Sequence, residues 1–284
     1  MIAITGASGQ LGRLVIEALL KSVPATELVA VVRSPAKVAD LAARGVQVRQ
    51  ADYGQPEALG AALAGVDKLL LISSSEVGQR ASQHANVIDA AKQAGVALLA
   101  YTSLLRADST PLPLGEEHRQ TEAMLSASGV PHVLLRNGWY SENYAASIPV
   151  ALEHGVMLGC AGDGRISSAA RADYAAAAAA VLLADDQAGQ VYELAGDEAY
   201  TLTEFAAEIA RQSGKPVRYQ NLPEDEFAKV LLDAGLPAPV ATLLAESDTG
   251  AAKGGLYADR KDLSALIGRP TTPIAITVRD TLGA

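Results

Sequence analysis

Three glycines near the amino end have the spacing on which phosphate binding depends. They lie in Thr5-Gly6-Ala7-Ser8-Gly9-Gln10-Leu11-Gly12, after the short apolar run Ile2 to Ile4. A helical stretch follows, in which Leu11, Val15, Ala18 and Leu19 recur at helical spacing. Gly6 permits a tight turn, Gly9 keeps a side chain out of the path of a phosphate, and Gly12 lets helix and strand pack closely. The helix start then offers unpaired N–H groups and a partial positive charge to an anion. Gly6, Ala7, Ser8, Gly9, Gln10 and Leu11 are therefore candidates to cradle a dinucleotide pyrophosphate, against the alternative of an ordinary structural turn.

Which dinucleotide is set further along. A second apolar run, Leu28 to Val32, ends in Arg33, twenty-one residues past Gly12. An NAD site usually places Asp or Glu about 20 residues on, to accept from the ribose 2′-OH. The planar fork of an arginine suits the 2′-phosphate of NADP instead. Lys37 adds charge nearby, just inside the helix start at Ser34-Pro35. The expected cofactor is NADPH; the bland alternative is a solvated surface arginine.

These residues need strands and helices to position them, and the chain supplies both in turn. Strands are expected at Ile2–Ile4, Leu28–Val32, Val46–Arg49, Lys68–Ile72, Val96–Thr102 and Val133–Arg136. Helices alternate with them, among them Pro56–Leu63, Val77–Ala94 and Gly115–Ala127. Such alternation predicts an α/β fold, a doubly wound, Rossmann-type parallel sheet with right-handed crossovers. The alanine run Ala175–Ala180 fits a tightly packed helix starting near Asp173, a candidate cap. Beyond Arg136 short strands (Val156–Leu158, Val191–Leu194, Val217–Tyr219) lie among helices at Thr203–Gln212, Glu224–Ala234 and Val240–Ala245. The organisation expected is a nucleotide-binding domain over residues 1–136 and a smaller substrate-binding lobe over 137–284, with a strand returning to the main sheet.

In such sheets ligands lie beyond the carboxyl ends of the strands. That rule nominates Ser73, Ser74 and Ser75, which could bond the cofactor riboses or form a plain polar loop. Asp52 could meet an adenine amine or cap its own loop. Past the sixth strand come Asn137, Trp139, Tyr140, Asn143 and Tyr144. The chain has nine tyrosines, two phenylalanines and one tryptophan, so three aromatics within six positions are a concentration. Asparagine and tyrosine there could grip a carbonyl oxygen while aromatic faces stack on a planar ring. Trp139 is as well explained as core filler. Ser168 could face the same ligand, and Arg171 could pair with Asp173 or a neighbouring acid.

Composition narrows the setting. A net charge of −9 gives no electrostatic footprint for nucleic acid, and none is expected as a partner. One cysteine, Cys160, excludes an intrachain disulfide and any multi-cysteine metal site; no metal is expected. No apolar run reaches the ~18 residues of a membrane span. The first strand begins at Ile2, leaving no room for a signal peptide, so the expected location is the cytoplasm. Oligomeric state leaves no readable mark.

The motif at Thr5–Gly12, Val32-Arg33, Ala51-Asp52-Tyr53, the stretch from Leu71 to Arg80 and Arg136-Asn137-Gly138-Trp139-Tyr140 resemble the atypical short-chain dehydrogenases. Within them the chain is most similar to the NADPH:quinone oxidoreductase type 2 enzymes, over nearly its whole length. Triphenylmethane-dye reductases and NmrA-like redox sensors are similar relatives. The resemblance implies NADPH binding, quinone reduction and a cytoplasmic enzyme; a redox sensor without turnover is the alternative. Ordinary short-chain dehydrogenases use Tyr-x-x-x-Lys on the helix after the fifth strand. The match here, Tyr257 to Lys261, lies far downstream and is read as chance. A quinone relieves that absence, because the hydroquinone anion formed by hydride addition needs little acid assistance. Asn143 and Tyr140 are then the candidate catalytic groups at the acceptor oxygen, and His118 a candidate proton donor or a structural histidine.

Overall fold

The computed structural model describes residues 1–283. Its first half alternates strand and helix: β1 (Ile2–Ile4), α1 (Gln10–Leu19), β2 (Leu28–Val32), α2 (Ala39–Ala43), β3 (Gln47–Gln50), α3 (Pro56–Ala62), β4 (Lys68–Leu71), α4 (Arg80–Gln93), β5 (Leu98–Leu104), α5 (Gly115–Ser128) and β6 (His132–Asn137). Then follow α6 (Ser141–Ala145), α7 (Ile148–His154), β7 (Val156–Gly159), α8 (Arg171–Leu183), β8 (Val191–Leu194), α9 (Leu202–Ser213) and β9 (Arg218–Asn221). The last elements are α10 (Glu224–Asp233), α11 (Ala238–Ala252), α12 (Asp262–Ile267) and α13 (Ile274–Leu282).

Seven strands form one sheet in the order β3-β2-β1-β4-β5-β6-β8. The pairs β1–β2, β1–β4, β2–β3, β4–β5 and β5–β6 are all parallel. Chain order reverses between β1 and β4, so the loops leaving those two strands flank the switch point where open α/β sheets bind ligands. Central strands are covered on both faces: every residue of β2 and β5 is buried. Alternation sorts them to the two sides, with Val29, Val31, Leu69, Leu71, Leu99 and Tyr101 in one core with Leu59, Val87 and Ala91. Edge strand β3 reads Gln-Val-Arg-Gln and is only half-covered. On the other side α8 packs along α1, its alanines letting the two backbones lie close.

The chain divides into two compact units. One comprises residues Met1–Ala107, Glu116–Asn137 and Arg171–Glu193; the other comprises Asp108–Gly115, Gly138–Ala170 and the residues from Leu194 onward. In the second unit β7 and β9 make a separate parallel pair. Its interior is aromatic: Trp139, Tyr144, Phe205 and Tyr200 form a chain of rings with centroid spacings of 6.4, 6.3 and 5.9 Å. α9 opens with a capping box, in which Thr201 and Glu204 each satisfy the other's backbone N–H.

Several boundaries differ from the sequence expectation for physical reasons. α4 begins at Arg80, not Val77, because Ser74 Oγ accepts from the Glu76 N–H and Gly78 turns at φ +85°. Asp173 is not the cap of α8: the helix starts two residues earlier and buries it in the first turn. α11 runs on to Ala252 through Ser247 and Asp248, polar residues that the interior satisfies. The short α6 and α7 are too brief to show a periodicity.

Candidate active site

The turn after β1 is built from backbone. Gly6 sits at φ +59°, a left-handed conformation natural to glycine, and Gly9 N–H donates to its carbonyl at 2.9 Å. A Cβ on Gly12 would lie 2.6 Å from Gly6 O and 2.7 Å from Ala7 Cα, so only glycine fits where α1 crosses the turn. The amino end of α1 has no side-chain cap and no acidic residue in its first turn. Ala7 and Leu11 point into the core, while Gly9 and Gln10 are exposed and Ser8 is half-buried. Arg171, at the start of α8, donates to the Gln10 side chain, bringing a cation to this turn.

Thr5 binds the two strand ends together. Its hydroxyl donates to Leu70 O at 3.1 Å and accepts from the Ile72 N–H at 3.1 Å. The Tyr53 hydroxyl lies 2.6 Å from Thr5 Oγ1 and 2.8 Å from Ile72 O, and burial pushes its pKa well up, so it stays protonated. Asp52 Oδ1 accepts from the Gly54 N–H at 2.8 Å, which is the loop-capping alternative.

A buried polar layer holds the serine loop after β4. Ser73 N–H donates to Thr102 Oγ1 at 2.8 Å, Ser74 N–H to His84 Nε2 at 2.9 Å, and Arg80 Nε to Ser74 O at 2.8 Å. Because His84 accepts at Nε2, its proton sits on Nδ1, which donates to Thr121 Oγ1 at 2.9 Å. Burial, reinforced by Arg80, lowers the His84 pKa to about 3. Of the three serines only Ser75 is fully exposed. Arg33 is exposed at the end of β2, with Nη1 2.7 Å from Glu76 Oε1.

His118 is enclosed on α5. It is buried, with Nδ1 2.7 Å from the Tyr101 hydroxyl. Burial first, then Arg80, holds its pKa well below the ordinary range, so the ring is neutral. Nearby, Glu122 takes a two-pronged bond from Arg136, at 3.0 and 2.7 Å, and a third from Ser103 at 2.5 Å. Arg136 also reaches Glu193 at 2.8 Å, so this charge is spent inside the unit. Asn137 closes β6. It is buried, and its Oδ1 has no hydrogen-bond partner among the described residues. A buried acceptor left without an internal partner at a strand end is open to a donor from water or a ligand.

In the second unit the predicted cluster separates. Tyr140 and Asn143 are half-buried, linked through Asn143 N–H to Tyr140 O at 3.0 Å. Tyr144 turns inward, and its hydroxyl donates to Asp248 at 2.8 Å; the other carboxylate oxygen accepts from the Cys160 N–H at 2.9 Å. Ser168 is enclosed between Ser141 Oγ, at 2.9 Å, and the Tyr200 hydroxyl, at 2.6 Å. Trp139 is buried in the aromatic interior. Tyr144 and Ser168 are thus engaged internally, and Trp139 fills the core, the bland alternative for that residue. Cys160 is buried, its pKa pushed up to about 11, and its thiol donates to Ala245 O. Tyr257 is exposed, and Lys261 pairs with Asp197 at 3.2 Å instead.

Sequence reasoning missed His84 and Asp248, and took in Tyr53 and Glu76 only as members of motifs, with no role of their own. Each acts through a partner many residues away or in a loop, and no local pattern marks such pairs.

Among the described residues no helix is long and apolar enough to cross a membrane. Residues 6–185 match the NAD(P)H-binding family. The chain is 64% identical over 278 residues to quinone oxidoreductase 2 of Escherichia coli, covering 98% of this chain and 97% of that protein. The crystal structure of an NADPH-dependent quinone oxidoreductase from Escherichia coli complexed with NADPH matches with a TM-score of 0.97 at 63% identity, over 99% of this chain and 100% of that one. Triphenylmethane reductase of Citrobacter complexed with NADP(H) matches with a TM-score of 0.95 at 38% identity, over 99% and 100%. With a shared fold and near-complete coverage, the chain belongs to the NAD(P)H-binding family, in the branch that holds quinone oxidoreductase 2.

Proposed function

We propose that this chain is an NADPH-dependent reductase of quinones and similar planar conjugated acceptors. The observation that carries the reading is the uncapped, acid-free start of α1 beneath the Gly6–Gly12 turn, with Arg33 at the neighbouring strand end. The likeness to the NADPH-bound relative supports it. When bound, NADPH supplies the hydride. Gly6, Ala7, Ser8, Gly9, Gln10 and Leu11 would line the pyrophosphate, held by the helix dipole and by those backbone N–H groups of the turn that have no internal acceptor. Arg33 takes the 2′-phosphate as a charge-assisted pair. The Ser73–Ser75 loop, fixed from behind by His84 and Arg80, faces the riboses. Asn137 Oδ1, lacking an internal partner, accepts from the nicotinamide end.

Tyr140 and Asn143, the half-exposed pair of the second unit, hold the acceptor. Their amide and phenol donate to the oxygen on which charge builds, and preorganised donors of this kind lower the barrier without a strong acid. No proton is assigned to His118, because a neutral, enclosed imidazole has none to spare at neutral pH. Positioning supplies most of the rate. The reading places the protein in the cytoplasm, in keeping with a single cysteine; no nucleic-acid partner is proposed.

Steady-state NADPH oxidation across a series of simple quinones tests this. Turnover is expected, with NADPH preferred over NADH by about tenfold or more, as a charge-assisted bond of ~1.5–3 kcal/mol implies. Tight NADPH binding with no turnover on any quinone would replace the enzyme by a redox sensor.

A further inference from the structure

The loop after β4 holds an anion of its own against Arg33. Glu76 Oε1 lies 2.7 Å from Arg33 Nη1, and Glu76 Oε2 accepts from Gln83 Nε2 at 2.8 Å. The Glu76 N–H in turn donates to Ser74 Oγ at 3.1 Å. Gln83 is buried on the first turn of α4, and its amide oxygen has no hydrogen-bond partner among the described residues. Reversing that amide would aim an oxygen at the Glu76 carboxylate, so the orientation is dictated by Glu76. Gln83 thus forgoes one partner to keep hold of the carboxylate. Arg33 is steadied as well, since Gln50 Nε2 donates to its carbonyl at 3.1 Å. Glu76 is therefore a tethered anion, unlike a glutamate waving on the surface.

We infer that Glu76 is a specificity-determining residue that competes with the cofactor 2′-phosphate for the Arg33 guanidinium. The inference rests on the proposed role of Arg33. NADPH must share Arg33 with the carboxylate or displace it, whereas NADH lacks the phosphate and leaves the pair intact. Two effects of Glu76 oppose one another. It pre-orients Arg33, which favours the phosphate, and it sets a negative charge beside a dianion, which disfavours it. Both partners are more than two-fifths exposed, and exposed pairs gain little from being held together. A phosphate that takes the guanidinium must also part it from the carboxylate, a cost that adds to the repulsion, so on balance Glu76 disfavours the phosphate. Glu76 trims the NADPH preference that Arg33 confers.

Glu76→Gln keeps the size of the side chain and an oxygen for Gln83, and removes only the charge. Affinities for NADPH and NADH are measured by fluorescence titration for the parent protein, Glu76→Gln and Arg33→Ala. Glu76→Gln is expected to bind NADPH about two- to fivefold more tightly, the range of an exposed charge pair. NADH affinity stays unchanged and reports that the fold is intact. The gain should shrink as salt rises toward 1 M, where the screening length falls to ~3 Å. If Arg33→Ala weakens NADPH alone but Glu76→Gln leaves NADPH binding unchanged, weakens it, or moves both cofactors alike, the competing role of Glu76 is overturned and the reading of Arg33 stands. If Arg33→Ala weakens both cofactors equally, the reading of Arg33 fails, and this inference with it.

Discussion

The turn after β1 and the segment after β6 both leave the carboxyl end of a parallel strand, yet they are built by different means. The first is made of main chain: a left-handed Gly6, a Gly12 with no room for Cβ, and bare N–H groups at a helix start. The second is made of side chains sorted by tertiary packing, with Tyr140 and Asn143 left half-exposed while Trp139 and Tyr144 turn inward. A site built from backbone is inscribed in residue spacing. One built from side chains depends on which long-range partner claims each group.

Gly12→Val attacks the backbone-built site and should have the largest effect. Its branched side chain meets main-chain atoms of Gly6 and Ala7 that cannot swing aside, so α1 must move off the turn. Misplacement of about 1 Å is enough to lose roughly a hundredfold in a positioned site, and NADPH titration should show a loss of that order. Near-parent affinity would mean that the close approach of helix and turn is not needed for binding.

The second region is sharpened by two neighbours that should respond in opposite ways. Tyr144→Phe deprives the buried Asp248 of a donor and should lower stability by ~1–3 kcal/mol in urea unfolding while leaving quinone turnover intact. Asn143→Ala should lower quinone turnover by the ~0.5–1.5 kcal/mol of one hydrogen bond, more if the acceptor oxygen is charged in the transition state. If the two variants behave alike, the division of this segment into an outward and an inward pair is mistaken.

This contrast also explains what the sequence disclosed. The parallel α/β sheet and the glycine turn were legible because periodicity and spacing are local properties, and a parallel sheet follows from the alternation of strand and helix. Ser168 could not be read, since nothing near it in sequence announces Ser141 and Tyr200 as its partners. His118 shows the same limit: on a predicted helix it reads equally as a proton donor or a structural histidine, and only the fold reveals the Tyr101 hydroxyl and the core that enclose it. The helix boundary at Arg80 depended on a hydroxyl-to-backbone bond two residues long, below the reach of any periodic pattern.

The neutral histidines behind the serine loop give the smallest effect. Unfolded, each protonates near pH 6.5; folded, His84 does so only at about 3 and His118 well below the ordinary range. The unfolded chain therefore binds protons first, and stability falls as pH drops through 6.5. His118→Gln removes one of these groups, so it should lose about 1 kcal/mol less than the parent between pH 6.5 and 5.5, read from urea midpoints at the two values. An equal loss in both proteins would show that His118 is free to protonate.

Hydride passing from bound NADPH to a quinone is the central claim, and a single anaerobic turnover tests it most directly. The protein is saturated with NADPH, or with NADPH deuterated at the transferring position, and mixed rapidly with a simple quinone while absorbance of the reduced nicotinamide is followed. The account predicts that one NADPH disappears for each quinone reduced, and that the decay is slower with deuterium. Persistence of the full NADPH signal in a complex that binds the cofactor tightly would contradict it.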